Sequence, residues 1–149
     1  MDFEKYTERS RGFIQSAQNL ALREGHQKFL PEHVLKVLLD DGEGLAAGLI
    51  KAAGGDSRMA LKETEAALAK LPKVSGGGGG QVYLSPEMAR VFEAAQKLAT
   101  KTGDSFVSAE RLLQTLAIEP SDAAKILKAA GVTAQGHNQA KDGVRKGRE

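Results

Sequence analysis

Apolar positions recur along most of this chain at the three- and four-residue spacing of an amphipathic α-helix. The clearest example lies between Thr7, a favourable N-cap, and Gly25, a residue type that commonly ends helices. Five apolar residues share one face of this predicted helix: Phe13, Ile14, Ala17, Leu20 and Ala21. Strand-like composition is confined to residues 81–84, Gln-Val-Tyr-Leu. The pattern therefore predicts an all-α protein.

The sequence also contains two similar halves. Ala-Gln-Asn-Leu-Ala at residues 17–21 recurs as Ala-Gln-Lys-Leu-Ala at residues 95–99, a shift of 78 positions. Lys-Ala-Ala-Gly at residues 51–54 recurs at residues 128–131, a shift of 77 positions, so one single-residue gap, placed near position 27, aligns the halves. Such self-similarity is typical of a duplicated structural unit. We predict one domain over residues 1–149, with a repeat at 7–72, a glycine-rich linker at 73–81 and a second repeat at 82–146.

Each repeat is predicted to form four helices, about eight in all, packed as a pseudo-twofold bundle. Matching signals mark the first three helices of each repeat: Thr7 and Ser85, Pro31 and Ser108, and finally Gly54 and Gly131. The fourth helix begins near Asp56 and carries Leu61, Leu68 and Leu71 on one stripe. Its counterpart has His137, Lys141 and Gly143 instead, and we expect residues 137–144 to pack poorly.

Composition limits the possible environments and partners. The 149 residues include no cysteine and carry a net charge of +2, with basic and acidic residues interspersed. No apolar run approaches the ~20 residues needed to cross a bilayer, and the N-terminus does not resemble a secretory signal. The basic residues near the C-terminus have no aromatic residues among them, so a nucleic-acid site is not expected. We expect a cytoplasmic protein that binds neither membranes nor nucleic acid.

The motifs of common enzymes are missing. The glycine run at residues 76–80 is followed by Gln81, whereas a phosphate-binding loop requires Gly-Lys and then Ser or Thr. His33 follows Glu32, but no second histidine stands four residues later, as a zinc protease requires. His26 and His33 are interpreted as ordinary surface or capping histidines, with no reason to meet. We predict no catalytic site, no metal site and no cofactor.

An apolar stretch after the linker is the best candidate for a binding surface. It comprises five residues, namely Val82, Tyr83, Leu84, Met88 and Phe92. Since Val91 and Leu98 already supply an inward stripe on the same helix, Met88 and Phe92 are predicted to flank that stripe. Burial in the core is an equally good interpretation for Phe92. Burying three such side chains, less the cost of association, corresponds to dissociation constants of roughly micromolar to millimolar order.

Several segments resemble the N-terminal domains of the Clp family of AAA+ proteins. They are the duplicated Ala-Gln-x-Leu-Ala and Lys-Ala-Ala-Gly, and also Phe-Leu-Pro-Glu-His-Val-Leu at residues 29–35. Leu-Pro-Lys-Val at residues 71–74 and Lys-Thr-Gly-Asp-Ser-Phe-Val-Ser-Ala-Glu at residues 101–110 are similar to the ClpB type more than to ClpA or ClpC. The resemblance covers nearly the whole chain and implies a fold of two tandem four-helix repeats.

The resemblance also implies a function. Such a domain belongs to a hexameric, ATP-driven disaggregase, which works with a DnaK-type chaperone system and engages exposed hydrophobic segments of unfolded or aggregated polypeptides. ATP and magnesium would bind other parts of that protein. The family's polar substrate-linked positions fall on Thr7, Asp104 and Glu110, and its apolar groove falls near the stretch after the linker.

Alternative interpretations remain for these residues and for the chain. Thr7 is a good N-cap, Glu110 stands in the first turn of a helix, and Asp104 follows a helix-ending glycine, so each has a structural explanation. The chain as a whole has two further hypotheses. It is either an adaptor-docking domain of the ClpA or ClpC type, or a small hydrolase for which the sequence offers no site.

Overall fold

A computed structural model describes residues 3–74, here called the first lobe, and residues 82–132, here called the second lobe. The described part is mostly helical, as predicted, and contains seven α-helices. After a 3₁₀ turn at Phe3–Lys5, the elements are α1 Glu8–Arg23, β1 Lys28–Phe29, α2 Pro31–Leu39, α3 Leu45–Ala52, α4 Ser57–Ala69, β2 Tyr83–Leu84, α5 Pro86–Lys101, α6 Ala109–Ile118 and α7 Asp122–Ala129. Most of the predicted linker and the whole of the predicted last helix, about residues 134–146, lie outside the described residues.

Local side-chain caps explain why the helices begin where they do. The Thr7 hydroxyl accepts a hydrogen bond from the Ser10 N–H at 3.1 Å, and the Ser85 hydroxyl accepts one from the Met88 N–H at 3.0 Å. Asp56, Ser108 and Ser121 cap their helices in the same way. Each cap satisfies a backbone N–H that has no partner within its helix. The predicted starts at Thr7, Ser85, Asp56 and Ser108 are therefore confirmed.

The one-residue gap needed to align the two repeats does not lie near position 27, where the sequence analysis placed it. The N-caps Thr7 and Leu30 are as far apart as the N-caps Ser85 and Ser108. The extra residue of the first lobe lies further on, because Gly44 follows Leu30 by one position more than Ser121 follows Ser108. It therefore falls between the start of the second helix and the start of the third.

The two lobes exchange short extended segments. In the first lobe, β1 pairs in parallel with β2, which precedes α5 of the second lobe. In the second lobe, Val107 forms a parallel bridge with Tyr6, which precedes α1 of the first lobe. We call the β1–β2 pairing the first junction and the Tyr6–Val107 pairing the second junction. In both, the segment before one lobe's first helix pairs with the loop after the other lobe's first helix, which gives the pseudo-twofold arrangement.

An aromatic cluster connects the lobes and changes the interpretation of α5. Phe92 is 2% exposed, and its ring lies 5.9 Å from that of Tyr6 and 6.1 Å from that of Phe29. Met88 is fully buried, one turn earlier. The prediction that Met88 and Phe92 flank the core as an accessible patch is therefore wrong, and the alternative interpretation of Phe92 as a core residue is confirmed. Phe3 and Tyr6, from the N-terminal segment of the first lobe, pack against Phe92. Val91 is buried, as predicted.

Candidate functional site

The remaining residues of the predicted apolar surface lie at the first junction. The backbone there is held by hydrogen bonds from the Tyr83 N–H to the Gln27 carbonyl at 2.8 Å and from the Ser85 N–H to the Phe29 carbonyl at 3.2 Å. The side chains are not enclosed, since Tyr83 is 62% exposed and Leu84 is 46% exposed. Val82 is half-buried and packs against the core. A fixed backbone therefore presents two large apolar side chains to solvent.

A cavity of about 250 Å³ adjoins the first junction. Its lining comes mainly from the loop that carries β1, from the segment after α4 and from the first turn of α5: His26, Gln27, Lys28, Leu30, Leu71, Pro72 and Glu87. Leu30, Leu71 and Pro72 give it an apolar wall, and the volume suits one or two side chains better than a large ligand. The cavity could not be predicted from the sequence, since its walls come from three segments that are distant along the chain.

The predicted polar residues gather at the second junction. The Thr7 N–H donates to the Val107 carbonyl at 3.0 Å while its hydroxyl caps α1. Asp104 accepts a hydrogen bond from Nε of Arg111 at 2.8 Å, and Glu110 is half-buried in the first turn of α6. The eight predicted site residues therefore divide between two junctions and the core. Phe106, which is 53% exposed, belongs to the second junction and was missed.

Glu32 is a buried acid that the sequence did not single out. It is 4% exposed in the first turn of α2, and no salt bridge to it is found among the described residues. Desolvation, followed by the nearby charges of Asp122 and Glu87, raises the pKa of Glu32 to about 7. An acid in a first helical turn ordinarily faces solvent, so the sequence offered no sign of this burial.

Two histidines meet in the first lobe, contrary to the sequence interpretation. His26 and His33 are both buried, and Nδ1 of His26 lies 2.9 Å from Nε2 of His33. Nδ1 of His33 accepts the Leu30 N–H at 3.0 Å, so His33 does act as a capping residue. Burial lowers the pKa of His26 and lowers that of His33 to about 4. Both rings are therefore neutral near pH 7.

Two features are absent from the described residues. Between residues 3 and 74 and between 82 and 132, no three histidine, cysteine, aspartate or glutamate side chains are grouped so that they could hold a metal ion. Over the same ranges, no helix combines the length and hydrophobicity needed to cross a membrane.

The family assignment follows from a comparison with protein-family models. The family described as the Clp repeat (R) N-terminal domain matches residues 5–130 of this chain. The match includes both junctions and all seven helices. The chain belongs to the Clp repeat N-terminal domain family.

Its curated relatives narrow the assignment to one type of chaperone. The chain is 63% identical over 149 residues to the chaperone protein ClpB of Rhodopseudomonas palustris and 63% identical over 149 residues to that of Rhizobium meliloti. Each match covers 99% of this chain and 17% of the relative. The chain thus spans about a sixth of the length of these relatives, and it corresponds to the N-terminal domain of ClpB.

Solved structures share the fold at low sequence identity. The Hsp104 N-terminal domain from Candida albicans superimposes with a TM-score of 0.81 at 20% identity, covering 95% of this chain and 91% of that one. The ClpV N-domain in complex with a VipB peptide has a TM-score of 0.68 at 18% identity, covering 89% of this chain and 82% of that one. These likenesses support the all-α, two-repeat fold.

Proposed function

We propose that this chain is the substrate-binding domain of an ATP-dependent disaggregase and captures exposed hydrophobic segments of unfolded or aggregated polypeptides at the first junction. The observation that carries the proposal is the pair of exposed side chains, Tyr83 and Leu84, held on a fixed backbone beside a cavity with an apolar wall. A client segment can lay apolar side chains on this surface and insert one into the cavity. The small apolar area implies weak capture, which lets a client be passed on.

The rest of the proposed parent protein supplies what this chain does not. In this proposal a hexameric AAA+ assembly in the cytoplasm binds ATP and magnesium outside this domain, and a DnaK-type chaperone system delivers clients to it. Homology to full-length ClpB chaperones, of which this chain spans a sixth, supports this setting.

A second candidate function is docking of an adaptor or another specific partner. The second junction favours it, because Phe106 is exposed in the segment that runs from Asp104 to Glu110, two polar residues that are both half-buried. A mixed polar and aromatic surface is typical of recognition between defined partners. A same-fold domain, the ClpV N-domain, has been solved with a VipB peptide.

Titration with a permanently unfolded polypeptide, followed residue by residue by NMR, tests the first candidate. We expect shifts around residues 26–30 and 82–85, and we expect Tyr83→Ala to weaken binding roughly fivefold to tenfold, as the loss of one aromatic contact predicts. Ile118→Ala is the matched control, because Ile118 and Leu84 are both 46% exposed and Ile118 lies at the end of α6. It should leave affinity within twofold of the wild type.

The same titration separates the two candidates. Shifts confined to residues 104–110, with affinity lowered by Phe106→Ala and unaffected by Tyr83→Ala, would exclude the first junction as the capture site. Binding of a natively folded protein with no response to the unfolded polypeptide would favour the docking function instead.

A further inference from the structure

The histidine pair of the first lobe occupies the place of an ion pair in the second lobe. His26 and His33 stand seven positions apart, and so do Asp104 and Arg111. Counted from the N-caps of the first and second helices, the two pairs are at equivalent positions. Each pair ties the loop after the first helix to the first turn of the second helix, at 2.9 Å in one lobe and 2.8 Å in the other. The same link is therefore made by two imidazole rings in one lobe and by a carboxylate and a guanidinium in the other.

The hydrogen bonds fix where the protons of the histidine pair lie. Because Nδ1 of His33 accepts the Leu30 N–H, the neutral His33 ring carries its proton on Nε2 and donates it to Nδ1 of His26. His26 then carries its own proton on Nε2, which has no partner at hydrogen-bond distance among the described residues. Every accepting nitrogen is occupied, so a further proton on either ring must break the Leu30 cap or the bond between the rings.

The charged groups around the pair do little to stabilise a protonated ring. Glu24, after α1, and Lys73, after α4, face His26 with opposite charges and pair with each other at 3.6 Å. Lys36 of α2 and Glu65 of α4 line a second cavity, of which His26 also forms part of the wall. Their charged groups are paired with each other at 3.6 Å. On the other side, the first-junction cavity has Lys28 and Glu87 in its lining. No carboxylate among the described residues is hydrogen-bonded to either ring.

We propose that the His26–His33 pair is an acid-sensitive latch on the first junction: its protonation releases the loop at residues 25–30, together with β1, while the second junction stays closed. Release separates two rings that cannot keep their 2.9 Å contact once both are charged. It also removes the backbone partner of β2 and opens the adjoining cavity. In the second lobe the equivalent position holds the Asp104–Arg111 ion pair, with a 2.8 Å contact that holds its loop in place.

The direction of the pH effect follows from proton uptake. In the released loop a histidine has its ordinary pKa of ~6.5 and binds a proton below it. In the closed loop burial holds the pKa of His33 at about 4, so the ring stays neutral. The released form therefore gains protons, and stability relative to the closed form, as the pH falls from 6.5 toward 4. Between pH 7 and pH 5 the population of the released loop should rise at least about tenfold.

Amide hydrogen exchange of the whole chain, without any client, tests the latch. Protection factors, which correct for the intrinsic pH dependence of exchange, are measured at pH 7 and pH 5. We expect them to fall about tenfold or more for residues 25–30 and less than twofold for residues 103–108, which serve as the control within the same molecule. Equal changes in the two loops would overturn the proposal. Because no client is present, the result of this experiment does not depend on whether the proposed capture function is correct.

A variant that copies the second lobe sharpens the test. Four substitutions place the residues of that lobe at their equivalent positions: His26→Asp, Leu30→Ser, His33→Arg and Lys36→Gln, after Asp104, Ser108, Arg111 and Gln114. Residues 25–30 should then keep their protection at pH 5, and persistent acid-induced release would refute the latch. If this variant does not fold, imidazole ¹⁵N shifts of the wild type decide: His33 must be neutral and protonated on Nε2 at pH 6, and a charged ring or a proton on Nδ1 would contradict the mechanism.

Discussion

At the scale of single residues, two neighbouring buried groups respond to pH in opposite directions. Glu32 has a pKa of about 7, above its ordinary value of 4.5, and His33 has a pKa of about 4, below its ordinary value of 6.5. For Glu32 the unfolded chain loses its proton first, so the contribution of Glu32 to stability declines as the pH rises from 4.5 to 7. For His33 the contribution is lost as the pH falls from 6.5 to 4. The two effects offset each other, each by at most about 3 kcal/mol.

Glu32→Gln should remove the contribution of Glu32 to the pH dependence of stability and leave that of His33. Relative to the wild type, we expect the variant to gain stability as the pH rises from 4.5 to 7.5, by up to about 3 kcal/mol, because the buried glutamine never ionises. Urea unfolding of both proteins at intervals of one pH unit measures the difference, and contributions common to both cancel. A difference that stays constant across this range would show that Glu32 titrates normally. The same variant is also a control in the hydrogen-exchange experiment on residues 25–30. Any change between pH 7 and pH 5 that persists in Glu32→Gln does not come from titration of Glu32.

At the scale of elements, the sequence indicated where helices begin but not how they face one another. Thr7 and Ser85 identified their helices because a capping hydroxyl acts on neighbouring residues. The sequence left the burial of Phe92 open because Tyr6, which packs against it, is distant in sequence. The Tyr6 hydroxyl donates to the Phe92 carbonyl at 3.1 Å. The gap between the repeats was misplaced because Leu35 can be aligned with either of two adjacent leucines, Leu112 and Leu113. The positions of the N-caps show that Leu113 is its counterpart.

Phe92 is buried in α5, and Tyr83 is exposed just before that helix, so substitutions at the two positions should have different effects on stability. Phe92→Ala should lower the free energy of unfolding by roughly 3–5 kcal/mol, because it leaves a cavity where three aromatic rings meet the side chain. Tyr83→Ala, at a position 62% exposed, should change it by about 0.5 kcal/mol or less. Chemical denaturation of both variants provides the measurement. Similar values for the two would mean that Phe92 is as accessible as Tyr83.

At the scale of the whole molecule, close backbone contact holds the lobes together. A Cβ atom at Gly55 would lie 2.8 Å from Val132 Cγ2, 3.0 Å from the Ala130 carbonyl oxygen and 3.0 Å from Ile50 Cγ2. Next to it, the Asp56 N–H donates to the Ala130 carbonyl across the lobes at 2.7 Å. The sequence marked Gly54 and Gly131 as helix ends, but nothing in it indicated that Gly55 lies against the other lobe.

Gly55→Ala and Gly48→Ala form a matched pair of substitutions. Gly55→Ala should destabilise the protein by about 1–3 kcal/mol, since the methyl group forces the lobes apart. Gly48, inside α3 with nothing within 4 Å of its Cβ position, should give a gain of about 0.5–1 kcal/mol from helix propensity. Thermal and urea unfolding distinguish them. A stabilised Gly55→Ala would show that the lobes do not meet at this point.

The exchange of extended segments at the two junctions has a consequence for the origin of the domain. Each unit completes the other in the same manner, as the two copies do in an isologous homodimer. The arrangement is the one expected if the ancestral protein was a homodimer of single repeats and a gene duplication and fusion joined the two copies in one polypeptide. The two halves could then diverge in sequence. Such divergence accounts for a histidine pair in one lobe and an ion pair at the equivalent place in the other: two links that were once identical, of which one now responds to acid.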